Sequence, residues 1–173
     1  MTAPERGFPD DEFAVRCAAM QAAMAREGVD AMLFASEPEI RYFTGFLTPF
    51  WQSPTRPWFL VLPPEGKPVA VIPSIGGPLM RSCYAGEVIT WSSPAAEDDG
   101  ISLLRDVLRR YLGTTGRLGM MMGRETALRM PLADFLELQH SMEGAMDNMA
   151  LHDMTAAVQR IRMVKSRHEI AKI

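Results

Sequence analysis

Apolar residues recur at helical spacing from Phe13 through Cys17, Met20 and Met24, behind the carboxylates of Asp10 and Asp11. Acidic groups there suit the unpaired N–H donors and positive end of a first turn, and Gly28 stands where a left-handed residue would end the helix. Ala31-Met32-Leu33-Phe34-Ala35 is short and wholly apolar, which predicts a strand buried on both faces. Ser36-Glu37-Pro38-Glu39 reads as a capping box opening a short helix that stops at Gly45. From Phe46 to Pro57 the chain holds three prolines, two phenylalanines and Trp51, a composition that predicts a loop. Trp58 to Leu62 and Val69 to Ile72 are strand-like runs around a Pro/Gly-rich turn, hence a hairpin. Glu87 to Trp91 is a further strand candidate.

From Ile101, Leu104, Leu108 and Tyr111 make a helical face ended by Gly113. Leu118 to Met122 reads as a strand, and Pro131 opens a helix carrying Leu132, Phe135 and Leu136. Asp153 is placed to cap a helix bearing Val158 and Ile161. The order α-β-α-β-β-α-β-α-β-α predicts one α/β domain: a mixed sheet of about five or six strands, flanked by helices. Ser166-Arg167-His168-Glu169 is a second capping box, so a helix starts there and is still running at Ile173. A helix under two turns is marginal alone, and it implies that the natural polypeptide continues.

Composition narrows the function classes. With 173 residues, 47% hydrophobic and 23% charged, the chain has enough apolar material for a packed core. The net charge is −3 and the basic residues are scattered, which argues against nucleic acid as a partner. Pro4, Pro9 and the acidic residues before Phe13 leave no apolar signal-peptide segment, and no apolar run is long enough to cross a membrane. A cytoplasmic protein is the expectation. Cys17 and Cys83 are far apart and read as reduced cysteines packed like small hydrophobes.

Candidate chemistry is sparse. His140, His152 and His168 stand in separate elements without metal-ligand spacing, so no metal site is expected within the chain, and no catalytic residue is assigned. No nucleophile elbow is present, and Gly76-Gly77-Pro78 lacks the lysine and spacing of a phosphate loop. Met120-Met121-Met122 reads as buried strand rather than a soft-metal site. The best binding candidate is the Phe46–Trp58 loop, where aromatic faces stand beside the guanidinium fork of Arg56. The competing reading has Trp51 and Trp58 simply packed in the core.

Three stretches resemble the N-terminal domain of the creatinase/prolidase family, the "pita-bread" metallopeptidases. They are Gly28-Val29-Asp30-Ala31-Met32-Leu33-Phe34, then Ile40-Arg41-Tyr42-Phe43-Thr44-Gly45-Phe46, then Arg162-Met163-Val164-Lys165-Ser166 with Glu169-Ile170. Glu39 departs from the family pattern, which often has Asn there. The resemblance implies residues 1–161 as an accessory domain and 162–173 as the start of a linker helix to a C-terminal catalytic domain. In the family's peptidases that catalytic domain holds divalent metal, manganese or cobalt, which activates water against the bond before proline. It also implies a homodimer or higher homo-oligomer in which this domain borders the neighbouring subunit's active site, reached by small peptide substrates. On that basis Arg56 and Trp51 are the substrate-contact candidates, acting in trans. Tyr42 is expected to anchor the short helix, and Arg162 and Lys165 to make polar contacts to the catalytic domain or its first helix. The alternatives are the same domain in a creatinase-like C–N hydrolase of small molecules, or a stand-alone binding or assembly module.

Overall fold

The computed structural model describes residues 7–53, 56–95, 97–113, 116–143 and 150–173, the side chains of 142 and 143 excepted. The expectations that touch Pro4 and Pro54 lie outside the described residues. Six strands form one mixed sheet: β1 (Ala31–Phe34), β2 (Phe59–Leu62), β3 (Val69–Pro73), β4 (Val88–Trp91), β5 (Arg117–Met120) and β6 (Ala150–Asp153). Their order is β4-β3-β2-β1-β5-β6. The hairpin makes β2 antiparallel to both β1 and β3, while β1–β5, β3–β4 and β5–β6 are parallel.

The described residues form seven α-helices, of which the first six pack around the sheet: α1 (Asp10–Glu27), α2 (Glu37–Thr44), α3 (Gly77–Arg81), α4 (Ile101–Leu112), α5 (Leu132–Glu143), α6 (Thr155–Met163) and α7 (Arg167–Ile170). Alternation along each strand divides the core in two. Met32, Phe34, Leu60, Leu62, Ala70 and Ile72 face α1, α2, α3 and α6. Ala31, Leu33, Phe59, Val61, Val69 and Val71 face α4 and Leu138 of α5. Strands β1, β2 and β3 are therefore buried on both faces, as an unbroken apolar run requires.

Gly28 and Gly45 close their helices with φ of 65° and 78°. A Cβ on Gly45 would also stand 2.8 Å from the Phe13 ring, so both backbone and packing demand glycine. Four sequence expectations need correction. Ser36 is the N-cap residue of α2 but forms no capping box: its hydroxyl donates to the Glu39 carboxylate instead. Of the α5 residues expected inside, Leu132 and Leu136 are 69% and 44% exposed, and the inward contacts come from Phe135 and Leu138. Strand β5 ends at Met120; Met122 is exposed because its amide turns to Asp153 and Thr155. The Phe46–Trp58 segment contains one regular piece, a 3-10 turn over Pro49–Gln52 capped by the Thr48 side chain.

Candidate functional site

Two clusters outside the sheet carry the concentrated side-chain chemistry. The first is aromatic. Phe46, Trp51 and Trp58 are all buried, with ring centroids 6.1 Å apart for Phe46–Trp51, 5.4 Å for Phe46–Trp58 and 5.6 Å for Trp51–Trp58. Gly76 lies against the Trp58 ring, where a Cβ would overlap it; close packing, rather than phosphate chemistry, accounts for that glycine. Trp51 therefore takes the core position that the competing reading gave it, and Arg56 is half-buried on the approach to Pro57 and Trp58. The cation stacked on Trp51 is a different one. The Arg129 guanidinium sits 5.1 Å from the Trp51 ring and donates to the Ser53 carbonyl. Burial lowers its pKa from the usual arginine value, with Glu37 opposing. No sequence signal pointed to Arg129, because it comes from a non-regular stretch 76 residues beyond Ser53.

The second cluster is ionic and joins α1 to two of the three family-like stretches, those around Tyr42 and Glu169. Arg16, on α1, is only 4% exposed. Its Nε donates to Glu12 Oε1 at 3.0 Å and its Nη1 to the Tyr42 carbonyl at 2.9 Å. Its guanidinium lies between the rings of Phe8 and Tyr42, 4.4 and 4.2 Å from their centroids. Glu169 Oε1 on α7 stands 3.3 Å from Nη2. Arg162 at the end of α6 donates to Glu39 Oε1 at 3.0 Å, and its guanidinium is 5.6 Å from the Tyr42 ring. Tyr42 thus has an arginine on each side, and burial raises its phenol pKa with Arg16 opposing. Arg162 was expected to reach toward another domain or the helix that follows; its partner is Glu39 of this domain. Glu39, the departure from the family pattern, is the residue that receives it. Lys165 donates to the Arg162 carbonyl.

Three other titratable groups, Cys17, Asp153 and His152, have structural surroundings. Cys17 is 2% exposed, and burial pushes its thiol up to about 12 although the Arg16 charge pulls the other way. A thiol held neutral is a poor nucleophile. Asp153 accepts from the Thr155 amide at 2.9 Å and hydroxyl at 2.5 Å, which holds its carboxyl below the usual range; the N-cap of α6 is Met154, so Asp153 stands one residue before the expected capping position. His152 bridges Arg117 at 2.8 Å and Glu27 at 2.9 Å. Among the described residues no three His, Cys, Asp or Glu side chains converge as a metal site, and no helix is long and apolar enough to cross a membrane.

Against known proteins, residues 16–164 match the family model for the Creatinase/Prolidase N-terminal domain. The creatinase of Bacillus sp. (strain B-0618) is 31% identical over 166 residues, covering 94% of this chain and 36% of that protein. The fold matches the prolidase of Thermococcus sibiricus with a TM-score of 0.72 at 23% identity, over 92% of this chain and 39% of that one. It also matches the N-terminal domain of an X-Pro dipeptidase from Streptococcus pyogenes, with a TM-score of 0.61 at 16% identity, over 84% of this chain and 98% of that one. The chain thus spans well under half the length of the creatinase and the prolidase.

Proposed function

The chain belongs to the creatinase/prolidase N-terminal domain family, and from that premise we propose that it is the accessory part of a cytoplasmic, proline-specific metallopeptidase. The observation that carries this reading is one of proportion. Nearly the whole chain, 92%, superposes on 39% of a prolidase, and the family model that fits it is an N-terminal domain. The catalytic groups then belong to the larger remainder of such a protein, including the divalent metal, manganese or cobalt.

In this reading the domain contributes to homo-oligomerisation and walls the active site of a neighbouring subunit. The Phe46–Trp58 loop is the segment we assign to that wall, with Arg56 offered to a substrate carboxylate and Trp51 behind it. A second reading, in which the parent protein cleaves a C–N bond of a small molecule, draws support from the 31% identity to a creatinase.

One set of assays separates these. The 173-residue chain is expected to hydrolyse no Xaa-Pro dipeptide, with or without manganese, while a natural protein carrying the catalytic domain does so only with metal. Metal-dependent turnover by the 173-residue chain would overturn the accessory role. Turnover of creatine without metal by the longer protein would select the second reading.

A further inference from the structure

We infer that Arg16 is a positioning residue for α7: it fixes the direction in which the chain leaves the domain. The tie stands on this chain's own contacts, whatever follows Ile173. Helix α7 is four residues long and buries none of its side chains; Ile170 is 63% exposed and Ile173 93%. A helix this short does not persist on propensity, and here no apolar face packs it down. A groove of about 400 Å³ runs between α1 and the α6–α7 corner, lined by Val15, Ala19, Ile161 and Val164 as well as Arg16 and Glu169. What crosses from α7 to α1 is charge.

Arg16 is built to receive it. Its Nε and Nη1 are occupied by Glu12 and the Tyr42 carbonyl, and its plane is held between two rings. The fork cannot turn, so Nη2 is presented to Glu169 from a fixed point. Glu169 in turn is held at both oxygens, Oε1 by Arg16 and Oε2 by the Ser166 amide at 2.9 Å. The Ser166 contact lies within the capping box of α7 and fixes the carboxylate relative to the helix, so the ion pair to Arg16 carries over to the backbone of α7. Lys172 Nζ lies 5.0 Å from the ring of Phe8, which also covers Arg16, so the second contact from the end shares the same floor. The ion pair is 4% and 15% exposed, which shelters it from screening by salt.

The test reads the direction of α7 directly. In the 173-residue chain with Cys83→Ser, nitroxide labels at Glu65→Cys and Ile170→Cys sit on exposed positions, and the buried Cys17 thiol is left unlabelled. Pulsed electron double resonance is expected to give one narrow distance in this background. Arg16→Lys keeps the charge but not the fork, and Glu169→Gln keeps a side chain able to serve the capping box. Each is expected to broaden the distribution about twofold, as local release of one segment does, with the global melting midpoint of Glu169→Gln unchanged. A distribution in Glu169→Gln as narrow as the parent's would overturn the inference. That variant decides the matter even if Arg16→Lys does not fold, since α7 contributes no side chain to the core.

Discussion

The loop from Phe46 to Trp58 and the tail from Ser166 to Ile173 both lie outside the sheet, yet they are fastened by opposite means. The loop is nailed by three buried rings that belong to the same apolar cluster as β2 and α1. The tail buries nothing and is held by Glu169, Ser166 and Lys172. Apolar burial is shared with the whole core, so damage to the loop spreads through the fold. Ionic contacts at the tail are few and directional, so damage there stays local and shows as a change of orientation. Stability measurements report on the first region and are nearly blind to the second.

The largest effect should come from the loop. Trp58 is fully buried and touches Phe46, Trp51 and the backbone side of Gly76. Trp58→Ala leaves a cavity at the centre of that cluster and should cost about 3–5 kcal/mol of unfolding free energy, measured from urea denaturation. A loss below about 1 kcal/mol would mean that the loop is not part of the cooperative core.

Helix α1 repeats the contrast between adjacent residues: Arg16 serves the ionic cluster and Cys17 the apolar one. With its folded-state thiol pushed up to about 12 by burial, Cys17 stays protonated where the unfolded chain ionises, from about pH 8.5 upward. The native state then binds more protons than the unfolded state, so stability is fullest below that pH and falls as pH rises through the window. Between pH 9 and 10.5 this residue should remove about 2 kcal/mol. Cys17→Val should lose that much less than the parent over the same range. Cys83 and Tyr42, whose pKa values are also raised, are common to both proteins and cancel. Equal slopes would mean that the Cys17 site admits water.

Much of the fold was legible because its signals are local. Gly28 and Gly45 end the helices that stop signals place there, and the unbroken apolar runs at β1, β2 and β3 are the doubly covered strands. The Leu132/Leu136 face of α5 misled because helical spacing says that a stripe exists, not which neighbour covers it. The site was harder still. Arg16 carried no motif, and its partners Glu12, Tyr42 and Glu169 are spread over three elements. Arg129 reaches Trp51 from a non-regular stretch that has no period to read. Both failures are of long-range pairing, which spacing along one chain does not encode.

The two capping boxes make the same point and supply the smallest, sharpest test. Ser36–Glu39 and Ser166–Glu169 have equal spacing, yet only the second closes: the Ser166 side chain accepts from the Glu169 amide at 3.1 Å and Glu169 returns the contact. In the first, Arg162 and the Ser36 hydroxyl claim the Glu39 carboxylate, so the Glu39 amide gains no side-chain cap. Ser166→Ala should therefore speed hydrogen exchange at the Glu169 amide several-fold, while moving the global unfolding free energy by less than about 0.5 kcal/mol. Ser36→Ala should leave the exchange of the Glu39 amide as it was. If Ser166→Ala lowered the global stability by about 1 kcal/mol or more, the tail would be part of the cooperative fold after all, and the division between an apolar-held loop and an ion-held exit would fail.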